Sequence, residues 1–250
     1  FERFLMRRFT DDQSSTRYIR MVPAREGDLA LEALEKETKR FIHYTLDFLL
    51  HAFDLDDHRQ SEWVDRNFHD KGLIAKYEFL KLLHGEIHSY YMGMNKEVLD
   101  EKERERAEHI ISAVRNAMFS AKSIKDSHGD IDQFKNSSSS TKYQVYLDKK
   151  QEMEEFSRML YGCLVRPTQK AMFDDVVVLY NRVQQGYSGQ LKKLYQQEAS
   201  HQLTEVDIST LINFNREFYA SYKAIVWAIK DYLLEEEQAK YFAELPGFIR

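Results

Sequence analysis

The sequence predicts an all-α protein of six main helices arranged as two three-helix bundles, and three observations lead there. Two matching phrases, RNAMFSAKSIKD opening at Arg115 and REFYASYKAIVWAIKD opening at Arg216, lie 101 positions apart, and each continues through a Ser-x-Lys step to Lys122 or Lys223. Self-similarity at such an offset marks one structural unit used twice. Only three prolines and nine glycines in 250 residues leave too few turns for a sandwich or barrel of short strands. Apolar residues also recur three and four apart in six stretches, which is the spacing of one helix face.

The first stretch predicts a helix from Asp28 to Phe53, with Leu31, Leu34, Thr38, Phe41, Thr45, Phe48 and Ala52 on one face. A second, from Lys71 to Met94, repeats the spacing through Leu73, Tyr77, Leu80, His84, Ile87, Tyr91 and Met94. The third follows Ile110, Val114, Ala117, Ala121, Ile124 and Ile131, and its small residues would let a neighbouring helix come close. Between Ser127 and Thr141 the pattern fails, and SHGDIDQFKNSSSST reads as a polar linker or frayed helix end. A fourth helix carries Tyr146, Met153, Phe156, Leu160 and Cys163. Pro167 suits the first turn of a fifth, running through Met172, Val176, Leu179 and Val183 toward Leu194. Thr204 with Asp207 resembles a capping box ahead of a sixth, whose stripe is Leu211, Phe214, Phe218, Tyr222, Ile225, Ile229 and Tyr232. The expected organisation is a connecting segment over 1–24, a first bundle over 25–136 and a second over 141–245.

Composition narrows the function. A formal charge of −5 offers none of the clustered cations that nonspecific nucleic-acid binding requires. The lone Cys163, in the apolar context LYGCL, reads as a small buried hydrophobe. No run of residues approaches the length of a membrane span. The opening FERFLMRRF sets Phe1, Phe4, Leu5 and Phe9 among Arg3, Arg7 and Arg8, a composition that suits a membrane interface or a short helix packed on the bundle.

Candidate chemistry is sparse. His84 and His88 stand four apart on one helix, a spacing that can put two imidazoles on one metal, though a core histidine beside a surface one has the same pattern. Asp126 with Asp130, and Asp231 with Glu235, have a spacing that could share a divalent cation or simply mark solvated faces. Glu198 and His201 give one E-x-x-H step where a di-iron bundle needs two. Neither a glycine-rich phosphate loop nor a G-x-S-x-G elbow occurs, so catalysis is not expected and no cofactor is called for beyond a divalent metal at those histidines or aspartates. Arg115, Lys122, Arg216 and Lys223 are the repeated polar set. They would line a groove between the bundles or form ion pairs that tie adjacent helices.

The segment STRYIRMVPAREGDLALEALEKETKRF, with LINFNREFYASYKAIVWAIKDYLL near the other end and the weaker KYEFLKLLHGEIHSYY between them, resembles the PhoU-like cytoplasmic domain of bacterial sodium/phosphate cotransporter family proteins. The resemblance spans nearly the whole chain. It implies two three-helix bundles and regulation of phosphate transport without catalysis. It also implies a place on the cytoplasmic face of the inner membrane, with the transporter's own membrane domain as partner. Residues 1–24 would then lead out of that membrane domain and touch the membrane surface; a homo-oligomer is a further partner, and nucleic acid is not one. The family's E(D)-x-x-x-D metal step is not matched after Arg115, where Ala117, Met118 and Phe119 stand, and the second phrase offers only Glu217. A metal-binding helical sensor or enzyme, and a free-standing helical scaffold, are the alternatives.

Overall fold

The computed structural model describes residues 15–55, 63–165, 169–199 and 204–243. Among them lie nine helices and no strand. Helix α1 (Asp28–His51) starts after Gly27, whose φ of 54° lies in the left-handed region that glycine enters without steric cost. From Arg40 through Leu50 every residue of α1 is buried, so this helix runs through the middle of the molecule. A short α2 (Arg66–His69) is capped by Asp65, which accepts from the Phe68 N–H. Helix α3 (Leu73–Gly93) follows. Helix α4 (Glu101–Asp126) begins with an Asp100/Glu103 capping box that satisfies two otherwise orphaned N–H groups.

The expected linker between Ser127 and Thr141 is corrected. The chain breaks at Ser127, resumes as α5 (His128–Lys135) and breaks again over 136–139 before α6 (Ser140–Val165). Two apolar residues three apart are enough to dock α5: Ile131 and Phe134 are each 1% exposed, and Phe134 meets Phe214 edge-on at 5.2 Å. Helix α7 (Gln169–Ala199) follows, and α8 (Glu205–Leu233) carries the Thr204/Asp207 capping box. A ninth helix, α9 (Glu236–Ala243), buries Phe242 against Tyr180. Phe1–Phe9, Pro167 and His201, and the side chains of Met172, Leu194 and Glu198, lie outside what is described.

Helices α1, α3 and α4 pack on one another, and α7 and α8 pack together with α6. The most extensive contact joins α4 to α8, so one continuous core serves both groups. The seam is made of small residues: Ala113, Ala117, Ser120 and Ala121 on α4, and Ser221, Ala224 and Ala228 on α8, are all buried. Small side chains let two helices approach until their backbones nearly touch. The helices run antiparallel, since Arg106 lies over the Tyr232 ring, Asn116 reaches Asp231 and Ser120 meets Ser221.

Candidate functional site

Glu37, Arg40, Tyr44 and Asp47 stand alternately three and four apart, so they form a stripe along one side of α1. In most helices such a stripe would face water; here all four are buried. A buried charge is costly unless every part of it is paired and hydrogen-bonded, and the partners that meet this demand come from distant segments.

Glu37 is fully buried and accepts three backbone N–H groups through one carboxylate oxygen, from Arg17 (2.8 Å), Tyr18 (2.6 Å) and Ile19 (3.3 Å). Its other oxygen accepts from Arg40 at 2.8 Å. Arg40 spreads its fork further, to the Ser15 carbonyl at 2.8 Å, the Tyr44 hydroxyl at 2.5 Å and Asp65 at 3.1 Å. The Ser15 hydroxyl donates to Glu86 on α3 at 2.5 Å, and the Tyr90 hydroxyl donates to the Val22 carbonyl at 3.0 Å. Residues 15–27 therefore form a strap laid along α1 and α3, with its backbone fastened to buried side chains.

The stripe also holds α2. Tyr44 donates to Asp65, and its ring stacks on Phe68 at 4.2 Å with planes 4° apart. Burial pushes the Tyr44 hydroxyl upward and Asp65 adds to this, so the phenol stays a neutral donor. Burial alone would raise the Asp65 carboxyl, but the bonds from Tyr44, the Phe68 N–H and Arg40 outweigh it and leave that carboxyl below its ordinary range. One turn on, Asp47 takes the buried Lys76 ammonium at 2.5 Å and the His69 imidazole at 2.7 Å.

On another side of α1, His43 lies between the rings of Trp63 (5.6 Å) and Tyr161 (5.9 Å), and neither of its ring nitrogens has a hydrogen-bond partner among the described residues. Burial first and Lys39 second lower its pKa to about 4, so the ring is neutral.

The residues singled out from the sequence are placed differently from the expected groove. Arg115 is exposed beside His84 and His88, and Lys122 pairs with Asp126 of its own helix at 2.9 Å. Arg216 reaches its neighbour Glu217 at 3.4 Å, and the Lys223 ammonium lies 4.9 Å from the Trp227 ring centre. Lys122 on α4 also lies within electrostatic reach of Glu217 on α8. What the repeat does bring together is the serine of each Ser-x-Lys step: the Ser120 and Ser221 hydroxyls, 101 positions apart, hydrogen-bond at 2.9 Å.

His84 and His88 do meet, with ring centres 4.5 Å apart. Burial, then His88 and Arg115, lower the His84 pKa to about 4. Asp126 is held by Lys122 and Lys125, while Asp130 sits on α5, half-buried, with its carboxyl raised by burial. Asp231 is engaged in the α4–α8 seam, accepting from Ser112 (2.8 Å), Asn116 (2.9 Å) and Lys230 (2.6 Å). Among the described residues no three His, Cys, Asp or Glu side chains converge as metal ligands would. A cavity of about 570 Å³ opens where α4 begins and α8 ends; Lys102, Arg106 and His109 line it together with Glu105, Glu235 and Glu237, so it carries charges of both signs.

The buried stripe of α1 escaped the sequence reading, although acid, guanidinium, phenol and acid stand at helical spacing among the apolar residues of Arg40–Leu50 and just before them. Comparison with protein-family models, curated proteins and solved structures finds no match to this chain.

Proposed function

We propose that this chain is a PhoU-like regulatory module without catalysis of its own: two three-helix bundles related by an internal repeat, working on the cytoplasmic face of a membrane as part of a sodium-dependent phosphate transporter. The observation that supports the two-bundle reading most is the Ser120–Ser221 contact. When equivalent residues of two repeats touch each other across antiparallel helices, the units face one another about a pseudo-twofold axis through that contact. The grouping of α1, α3 and α4 against α6, α7 and α8 accords with it. The transport role rests on the sequence resemblance.

The strap supplies a mechanical element to this reading. Chain arriving from a membrane domain would enter through residues 15–27, and these are tied by Glu37 and Arg40 to the most buried helix of the module. A displacement of the strap cannot be absorbed locally without stripping a buried carboxylate of its N–H donors. It passes instead to α1, and from there to α4 and the seam with α8.

Phosphate uptake by the full-length transporter, with and without this module, tests the proposal. The expected outcome is altered dependence of uptake on phosphate with the membrane part still folded. Uptake and its phosphate response unchanged by the deletion would overturn it. A second reading, a metal sensor at His84 and His88, has the close approach of the two imidazoles in its favour. Metal content well below stoichiometric in untagged protein would exclude a tight site there.

A further inference from the structure

The strap has two faces. Thr16, Ile19 and, more partially, Val22 and Ala24 turn inward, whereas Arg17, Arg20, Met21, Pro23 and Arg25 turn outward and are exposed. Met21 is 74% exposed. The end of α3 presents Met92, also 74% exposed, and then Lys96, and Gly93 packs against Ala24, so the two segments adjoin. Among the described residues no carboxylate pairs with Arg17, Arg20 or Arg25. Three guanidinium groups within nine residues, that of Arg17 lying 5.5 Å from the Tyr18 ring centre, with the exposed Glu26 and Asp28 only after the last of them, stand out in a chain whose formal charge is −5. Glu37 holds the backbone at Arg17, Tyr18 and Ile19, and the Tyr90 hydroxyl holds the Val22 carbonyl, so the cations are presented by a fastened segment.

We infer that the outward face of the strap, Arg17, Arg20, Met21 and Arg25 together with Met92, is a docking surface for an anionic lipid bilayer. Arginines attract the negative surface of the leaflet, and the flexible, polarisable methionine side chains are short enough to enter the headgroup boundary without a span. Exposed thioethers beside the cations favour a bilayer over nucleic acid, which rewards charge but offers methionine little. The inference refines the reading above by naming the face of the module that meets the membrane, and rests on it for the tethered setting; lipid binding by the purified chain is nevertheless tested independently of transport.

The test is cosedimentation of the 250-residue chain with vesicles of phosphatidylcholine and phosphatidylglycerol in equal parts, against vesicles of phosphatidylcholine alone. Binding to the anionic vesicles that falls steeply with added salt is expected. R17Q/R20Q/R25Q should lower partitioning by more than about tenfold, since each basic residue near such a surface contributes roughly fivefold. R66Q/R158Q/R216Q, with the same charge change on exposed arginines elsewhere, should leave it unchanged. M21S/M92S should weaken binding that remains at high salt. The proposal is overturned by absence of binding to anionic vesicles, or by equal loss in both triple variants. Binding that survives R17Q/R20Q/R25Q but disappears when residues 1–14 are deleted overturns it too, as does full competition by a single-stranded oligonucleotide with no effect of M21S/M92S. None of these outcomes depends on whether removing the module alters phosphate uptake.

Discussion

Helices α1 and α6 open the two three-helix groups, and they differ in how deeply the polar contacts they make to other segments are buried. Along α6 many polar side chains pair within their own helix, Gln144 with Asp148, Lys149 with Glu152, Gln151 with Glu155 and Arg158 with Glu154, and those that reach elsewhere, Lys142 to Asp207, Glu155 to Arg182 and Tyr146 to Asp54, meet partners that keep access to water. Along α1 the partners are remote: Glu37 holds the strap, Arg40 and Tyr44 hold Asp65, and Asp47 holds Lys76 of α3. Bonds of the first kind can be remade with water at little cost. Those of the second kind dictate where other segments of the chain must lie. The opening half of the molecule is thus fixed by buried charges, whereas α6 and α8 are joined by aromatic packing, as where Phe156 stacks on Tyr222 at 4.0 Å, by the Lys149 ammonium over the Phe218 ring and by the half-buried Lys142–Asp207 pair.

The sharpest way to break that contrast is at Glu37. Glu37→Ala strips three N–H groups and Arg40 of a buried anion, and should destabilise the chain by about 3–5 kcal/mol in urea unfolding, with faster proteolysis in the strap. Glu154→Ala on α6 removes an exposed pair and should cost less than about 0.5 kcal/mol. Similar costs for the two would mean that the buried stripe is not what organises α1. The Asp47–Lys76 pair comes next, both side chains being almost wholly buried. Lys76→Met alone leaves a buried carboxylate with His69 as its remaining partner and should cost about 3 kcal/mol, while D47L/K76M should recover most of that loss. A double-mutant cycle separates the worth of the pair from the penalty of stranding one partner.

A third comparison concerns pH. His43 has its pKa lowered from 6.5 to about 4, so between those values the unfolded chain binds a proton that the folded chain refuses. Its contribution to stability is therefore full above pH 6.5 and falls as the pH drops toward 4, by about 3 kcal/mol in all. His43→Phe keeps a ring between Trp63 and Tyr161 and removes the titration. Unfolding free energies measured across that range should flatten in the variant. An unchanged pH slope would show that another group carries the acid sensitivity.

These contrasts explain which features were legible in the sequence. The span of α1, the stripe of α8 and the Thr204/Asp207 cap follow from periodicity and capping chemistry, which act over a few residues, and all three are present. Helix α5 was obscured because its exposed face is polar and only Ile131 and Phe134 face inward. The stripe of α1 was hidden for a different reason. A charged residue at helical spacing reads as solvent-facing until its partner is known, and Lys76 lies 29 residues from Asp47 while Tyr18 lies 19 from Glu37. In the repeated phrase, the cations drew attention as the groups with long reach. Close approach of two helices selects the smallest side chains, and so the serines meet.

The smallest effect expected is at that meeting point. The Ser120 and Ser221 hydroxyls are buried and hydrogen-bond to each other. Ser120→Ala leaves Ser221 without this bond and should cost about 1 kcal/mol, as should Ser221→Ala, whereas S120A/S221A removes both polar groups and should come close to wild type. Such non-additivity between residues 101 positions apart would establish the direct contact of the two repeated phrases in solution. Additive losses would place the two hydroxyls in separate environments, and with them the repeated helices. The pseudo-twofold relation would then have lost the contact on which it turns.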